Sequence, residues 1–276
     1  MEGYTGYREI YVEDEYLSKF YEGQITPDAF ELKNNEYLIL VNKDGEVIDY
    51  FCNENGEFRR VLYPEIGNEF TGTMTPRNPQ QYCALDLLKN RNIPVKLLIG
   101  RHGSGKTMAC TIASVQAVKE NKFEKIIFIR NNVQVKDTDK LGALPGESDD
   151  KMLPYLMPFA DHCGGIEGVK YLMDKGVLEV IPLAFLRGRD IRNSIIYAME
   201  SENFTKEHLQ LIMGRVGEGS ELWIDGDIRQ RDKETFEKSQ GLETMINRLQ
   251  GEPLFGCIYM PKTERSAVAA LADKLD

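Results

Sequence analysis

The chain has 276 residues, 42% of them hydrophobic, with 44 acidic against 34 basic side chains and a formal net charge of −10. That length can bury a core and suits one medium domain with an appendage or two small ones, while the acidic balance argues against a whole-surface attraction for nucleic acid. Five scattered cysteines without a C-x-x-C pair argue against a disulfide framework or zinc cluster; with no membrane-length apolar run and no signal-peptide pattern in Met1-Glu2-Gly3-Tyr4, a cytoplasmic protein is expected.

Residues 1–75 read as a small N-terminal region. Tyr11 to Tyr21 is acidic and aromatic with a weak helical period, and three alternating runs follow over 36–42, 46–52 and 57–63. Lys43-Asp44-Gly45 and Asn53-Glu54-Asn55-Gly56 separate them with the D-G and N-G signals of an antiparallel β meander. Thr75-Pro76-Arg77-Asn78-Pro79 then punctuates the chain, so a second domain is expected over 76–276.

From residue 80 onward helical and strand patterns alternate. Helices are predicted over 81–89, 106–120, 152–162 (with prolines near its ends), 205–215, 241–249 and 264–275. Strands are predicted over 95–99, 125–130, 177–182, 194–198, 221–224 and 256–259. Repeated βα units imply an α/β fold, a mostly parallel sheet flanked by helices, with ligands bound beyond the carboxyl ends of its strands.

Gly100-Arg101-His102-Gly103-Ser104-Gly105-Lys106-Thr107 joins the strand at 95–99 to the helix from 106 and is a complete G-x-x-x-x-G-K-[ST] loop. Strand, glycine loop and helix are the context that makes this pattern a phosphate site. Gly100, Gly103 and Gly105 are expected to let the backbone curl so that its N–H groups face phosphate oxygens, aided by the positive end of the helix. Lys106 would reach the β- and γ-phosphates, and Thr107 would offer its hydroxyl to Mg²⁺. An ordinary glycine turn is the improbable alternative, so a nucleoside triphosphate is the expected ligand.

Hydrolysis needs carboxylates at neighbouring strand tips to hold Mg²⁺ and orient water. Glu200 follows the apolar strand 194–198, and Asp225 and Asp227 follow the strand 221–224. A carboxylate after a strand is common, so these gain meaning only beside the complete phosphate loop.

Taken in order, the motifs resemble the PhoH-like P-loop ATPase family, related to superfamily 1 helicases, and most closely the ATPase module that follows a PIN nuclease domain in many bacterial members. Thr5-Gly6-Tyr7-Arg8-Glu9-Ile10-Tyr11-Val12 is similar to the segment that leads into such modules. Arg77-Asn78-Pro79-Gln80-Gln81 resembles the motif whose last Gln, here Gln81, reads the adenine edge. Leu141-Gly142-Ala143-Leu144-Pro145-Gly146 with Lys151-Met152 and Pro154-Tyr155 resembles the long signature loop, and Phe185-Leu186-Arg187-Gly188-Arg189 its R-G-R element. Gly226-Asp227 with Gln230 and Asp232 resembles the G-D-x-x-Q-x-D element, in which Asp227 and Gln230 would sense the γ-phosphate. Glu264-Arg265-Ser266 resembles the E-R-S motif. The resemblance implies a RecA-like core, ATP and Mg²⁺ as cofactors, RNA or single-stranded nucleic acid as a partner, assembly into a homo-oligomeric ring such as a hexamer, and a separate nuclease partner.

The chain departs from that pattern where the family has Asp-Glu-Ala-Gln-Asn. Here the run is Met199-Glu200-Ser201-Glu202-Asn203, which keeps Glu200 as general base or water-orienting carboxylate but replaces the metal-side Asp with Met199. The position before Gly226-Asp227, normally a small hydroxyl residue, is Asp225. Either Asp225 supplies the carboxylate that Met199 lacks, as a metal-side group beside Thr107, or it points to solvent and Mg²⁺ binding is weakened. Metal ligands need tight placement, which favours the solvent orientation.

Arg187, Arg189, Arg215 and Arg265 sit at loop or helix edges, with Arg215 and Arg265 the candidates for an arginine finger. His102 is expected to face away from the nucleotide, and His162 and His208 to be surface or satisfied core residues. The leading reading is therefore a Mg²⁺-dependent, helicase-like ATPase coupled to RNA or single-stranded nucleic acid. With one RecA-like core visible, movement along a strand would need neighbouring subunits. The rival is an ATP-binding switch or assembly protein whose hydrolysis is crippled by Met199. A small-molecule kinase is disfavoured by Gly226-Asp227 with Gln230 and by the lack of an acceptor motif.

Overall fold

The structure, a computed structural model, describes residues 3–62, 64–130, 153–228 and 240–264. Two compact units divide the chain: one comprises Met1–Glu65, Thr75–Lys106 and Glu243–Asp276, the other Ile66–Met74 and Thr107–Leu242.

In the first unit, β1 (Tyr7–Tyr11), β2 (Tyr37–Val41), β3 (Val47–Glu54) and β4 (Glu57–Arg60) form a sheet in that order. The three C-terminal strands are the expected antiparallel meander. The fourth, β1, is added parallel to β2 on the outer edge. It escapes a period-2 reading because Arg8 and Glu9 are both exposed, so the strand has no clean alternation. Alternation in the other strands gives the sheet two apolar faces. Leu38, Leu40 and Phe51 on one face pack with Phe20 of α1 (Asp14–Tyr21), Val12 and Leu32. On the other, Tyr37 and Arg59 meet α2 (Pro79–Lys89): the Tyr37 hydroxyl donates to Asp86 Oδ2 at 2.7 Å, and Arg59 binds both Asp86 oxygens at 3.1 and 2.6 Å. The same unit holds β7 (Val95–Gly100), paired in parallel with β12 (Phe255–Met260).

The second unit opens with the hairpin of β5 (Ile66–Asn68) and β6 (Gly72–Met74), absent from the sequence reading because three-residue strands carry no usable period. Its Gly67 N–H donates to Gln116 Oε1 of α3 (Lys106–Lys119) at 2.8 Å. Four strands follow, β8 (Lys125–Arg130), β9 (Leu178–Pro182), β10 (Ser194–Ala198) and β11 (Glu221–Gly226), in spatial order β9-β8-β10-β11, all parallel. The helices are α4 (Met157–Ala160), α5 (Gly165–Asp174), α6 (Lys206–Met213) and α7 (Gly241–Leu249), the last beginning in this unit and continuing into the first. With two parallel strands in one unit and four in the other, flanked by helices, the fold is the α/β class that the repeated βα pattern predicts, in the RecA-like P-loop form that the resemblance implies.

Three local expectations change. The helix predicted over 152–162 is a 3₁₀ turn (Leu153–Leu156) followed by the short α4, since Pro158 brings no N–H to continue a longer ladder. Helix α5 is an addition to the expected elements: Gly164 and Gly165, both with positive φ, stand at its start and Gly168 lies within it, a glycine content that reads as a loop. Helix α6 is shorter than 205–215: Thr205 and His208 form a capping box at its start, each side chain accepting from the other's backbone N–H at 3.3 Å. That bond uses His208 Nδ1 as an acceptor, so His208 is a satisfied capping residue. The helix expected over 264–275 lies outside the described residues from 265 onward.

Candidate nucleotide site

Strand β7 carries the chain directly into the glycine loop. Gly103 and Gly105 have φ of 79° and 92°, the left-handed region that side-chain-bearing residues rarely adopt, so the curl depends on these two glycines. Gly100 has a different task, which corrects the expectation that it shares in the curl. A Cβ there would lie 2.2 Å from the Met260 carbonyl oxygen, so it permits the close approach of β7 to β12.

Lys106 is buried, and its ammonium donates to the carbonyls of Gly100 at 2.7 Å and Arg101 at 2.9 Å. The cation is thus folded across its own loop. Ser104 Oγ is buried in the same loop with no hydrogen-bond partner. A buried hydroxyl without a partner is costly, and a phosphate oxygen is the kind of acceptor that would satisfy it. The loop therefore fits a polyphosphate. Arg101 and His102 are exposed.

The loop is braced from two directions. Gln81, buried in the first turn of α2, accepts the Arg77 N–H at 2.8 Å and donates to the Ser104 carbonyl at 3.0 Å. Asn78 caps α2 by accepting the Gln81 N–H at 2.9 Å and donates to Glu264 Oε1 at 2.6 Å, while the Glu264 N–H donates to the Gly103 carbonyl at 3.0 Å. The sequence pattern marked Gln81 for base reading; a bracing contact to the loop backbone was not foreseen.

In the second unit the carboxylates gather around Asp225. Its side chain is only 1% exposed, which overturns the expectation that it points to solvent. The cause is strand length: β11 runs to Gly226, two residues beyond the predicted 221–224, so Asp225 belongs to the sheet and not to a loop. Three donors hold it. Thr107 Oγ1 donates to Oδ2 at 3.0 Å, the Tyr197 hydroxyl donates to Oδ2 at 2.5 Å, and the Glu200 N–H donates to Oδ1 at 2.8 Å. Glu200, the second residue past β10, takes up φ 49°, ψ 51°, a left-handed conformation costly for a residue with a side chain. That turn aims its N–H at Asp225. The Thr107 proton is committed to Asp225, which leaves the lone pairs of Oγ1 available to a cation.

Asp227 is also buried, and its N–H lies 3.4 Å from Glu202 Oε2. Glu202, a residue the sequence reading passed over, has its pKa pushed up to about 7, chiefly by burial and further by the nearby carboxylates of Asp225 and Glu200. The signal available in the sequence was its place in the Met199–Asn203 run, where the resembled family has Gln. Arg215 Nη1 reaches the Arg189 carbonyl at 3.4 Å, and its Nε is buried without a partner. Arg189 itself pairs with Glu179 at 3.0 Å. Gln230, Asp232, Arg265 and the signature loop over 141–152 lie outside the described residues. Among the described residues no group of three or more His, Cys, Asp or Glu could hold a metal unaided. Among the same residues no helix is long and apolar enough to cross a membrane.

Comparison with known proteins places the chain in a family. The family described as PhoH-like protein matches residues 73–272. Protein PhoH2 of Bacillus subtilis is 30% identical, and that of Thermobispora bispora 29%, each alignment covering 99% of this chain and 64% and 63% of the respective relative. A PhoH-like protein of Synechocystis is 35% identical over 57% of the chain and 49% of its own length. The chain thus spans a little under two thirds of the length of the PhoH2 relatives. The family match covers the phosphate loop and both carboxylate-bearing strand tips, and the chain belongs to the PhoH-like family of P-loop ATPases.

Proposed function

We propose that the chain binds ATP with Mg²⁺ and hydrolyses it, and that turnover is coupled to RNA or single-stranded nucleic acid. The observation that carries the reading is the 3.0 Å hydrogen bond from Thr107 to Asp225, a hydroxyl in the phosphate loop backed by a buried carboxylate. Lys106 and the backbone N–H groups of residues 103–107 hold the phosphates, and Thr107 with Asp225 forms the metal side. Bound Mg²⁺ would supply charge neutralisation at the β- and γ-oxygens. Glu200 orients the attacking water: a P–O bond forms from water to the γ-phosphorus, the bond to the ADP oxygen breaks, and the water proton passes to the carboxylate or to solvent. Asp227 and Gln230 sense the γ-phosphate, Gln81 reads the adenine edge while bracing the loop, and Arg215 or Arg265 stabilises charge on the phosphoryl group.

The nucleic-acid partner, a homo-oligomeric ring and a separate nuclease partner are proposed from the family pattern. The net charge of −10 means that any polyanion contact depends on a local surface, for which Arg187 in the R-G-R element is the candidate. A second reading is favoured by one residue. Met199 cannot ligate Mg²⁺ through water, and if Asp225 does not replace the missing carboxylate the protein is a slow, ATP-occupied switch.

Mg²⁺-dependent ATP hydrolysis with and without single-stranded RNA, with Lys106→Ala as the blank, tests both. Turnover above the blank that rises with RNA supports the coupled ATPase. ATP binding with turnover at the level of the blank overturns it in favour of the switch.

A further inference from the structure

The carboxylate at Asp225 comes with a dedicated anchor. Strands β10 and β11 run in parallel with Tyr197 opposite Trp223 and Ala198 opposite Ile224, and Met199 and Asp225 are the residues that follow this last pair on each chain. Residues opposite one another in a parallel pair project from the same face, about 5 Å apart. The acid therefore stands at the end of the neighbouring strand, next after the last paired residue, as Met199 does on its own. A carboxylate that reaches Thr107 from the neighbouring strand starts from a different Cα, and needs something to aim it.

Tyr197 is opposite Trp223, which lies two residues before Asp225 on β11, so Tyr197 shares a face with Asp225. It is fully buried, its ring meets Phe128 edge-on at 5.8 Å and 88°, and Phe128 in turn meets Phe159 at 6.1 Å. A ring held in this way has little freedom to swing, so its hydroxyl is a fixed donor, and it donates to the same Asp225 oxygen that accepts from Thr107. Two donors on Oδ2 and the Glu200 N–H on Oδ1 occupy three of the roughly four acceptor positions of a carboxylate, leaving one on Oδ1.

We infer that Tyr197 is a positioning residue that locks Asp225 against Thr107, so that Tyr197 and Asp225 act as a pair in place of the carboxylate missing at Met199. This rests on the reading of Asp225 as the metal-side group, and goes beyond it by naming the residue that sets its geometry. Tyr197, Met199 and Asp225 form an interdependent set: with an acid at 199 the hydroxyl at 197 has nothing to hold.

The test is the affinity for a fluorescent, non-hydrolysable ATP analogue, measured in Mg²⁺ and again in EDTA; the ratio reports the metal's contribution apart from turnover. Tyr197→Phe is expected to shrink that ratio at least threefold while the affinity in EDTA stays within about twofold of the unaltered protein. The exchanged chain, Met199→Asp with Asp225→Ser, is expected to recover the ratio and to be indifferent to Tyr197→Phe. If Asp225→Ala keeps the full ratio, the reading of Asp225 falls and the inference with it. If Asp225→Ala loses the ratio but Tyr197→Phe keeps it, the inference alone is overturned. Thermal midpoints show whether Tyr197→Phe folds. Should it not, the exchanged chain decides, because an equal loss of folding there makes Tyr197 a packing residue and overturns the lock.

Discussion

Gly6 passes so close to Cys257 that a Cβ added to it would sit 1.5 Å from the Cys257 carbonyl oxygen. The neighbouring backbone explains the closeness: the Thr5 carbonyl accepts from the Tyr259 N–H at 2.8 Å, and the Gly6 carbonyl from the Tyr37 N–H at 2.9 Å. Two residues therefore stitch β12 to the N-terminal sheet. Gly6 also has φ of 82°, so a side chain is refused both by space and by backbone conformation. Gly6→Ala should cost more than about 3 kcal/mol of unfolding free energy, the range in which backbone overlap and strain act together. Urea denaturation measures it, and a loss below 1 kcal/mol would show that the two strands separate easily.

The Tyr37–Arg59–Asp86 cluster makes a related statement about the boundary at residue 75. Asp86 of α2 accepts from Tyr37 and from both ends of the Arg59 guanidinium, and Arg59 Nε also reaches Glu54 at 2.6 Å. Asp86→Ala strands a fully buried tyrosine hydroxyl and a half-buried cation, a loss of about 3 kcal/mol when one partner of a buried pair is removed. Tyr37→Phe removes one hydrogen bond and should cost about 1 kcal/mol. A protein beginning at residue 76 would leave Asp86 without either partner and is expected to melt well below the full chain by differential scanning calorimetry. An unchanged midpoint would make residues 76–276 a self-sufficient domain.

Asn78 separates two functions that alanine would merge. Its oxygen caps α2 and its amide nitrogen holds Glu264, whose own N–H braces Gly103. Asn78→Asp keeps an oxygen for the cap but has no donor for Glu264 and places two carboxylates together. Asn78→Ala loses both. Both variants should weaken binding of an ATP analogue several-fold, whereas only Asn78→Ala should lose the cap's share of stability, about 1 kcal/mol. Equal thermal midpoints for the two, alongside unchanged affinity, would remove Glu264 from the bracing of the loop.

How far the sequence reaches can be seen at neighbouring residues. The glycine loop and its Lys106 were legible because that chemistry depends on residue types at fixed spacing. The β8, β10 and α7 bounds were legible because apolar runs between turn residues leave little latitude. Asp225 is misread for want of two residues of strand: Gly226 and Asp227 look like the start of a loop, yet β11 continues to Gly226. Tyr197 was invisible as a polar residue because one tyrosine in Ser194–Ala198 reads as core, and its hydroxyl acquires meaning through a residue 28 positions away. Gln81 was found for its type and not for its bond to Ser104. Pair relationships between distant segments are set by register, which no single segment encodes.

Glu202 gives the site a pH dependence with a definite sign. Its carboxyl binds a proton more tightly in the folded chain, where the pKa is about 7, than at its ordinary value of 4.5, mainly because burial penalises the charge. The stability this contributes is whole below 4.5 and disappears as pH rises through about 7, the reverse of a carboxylate held by a cation. Glu202→Gln keeps the shape and removes the titration. Relative to the variant, the unaltered protein should lose about 1 kcal/mol of unfolding free energy between pH 6 and pH 8. Paired urea titrations at the two pH values measure the difference directly. Parallel curves would mean that Glu202 is ionised throughout, and that the crowding of Glu200, Glu202 and Asp225 is relieved by water rather than by a proton.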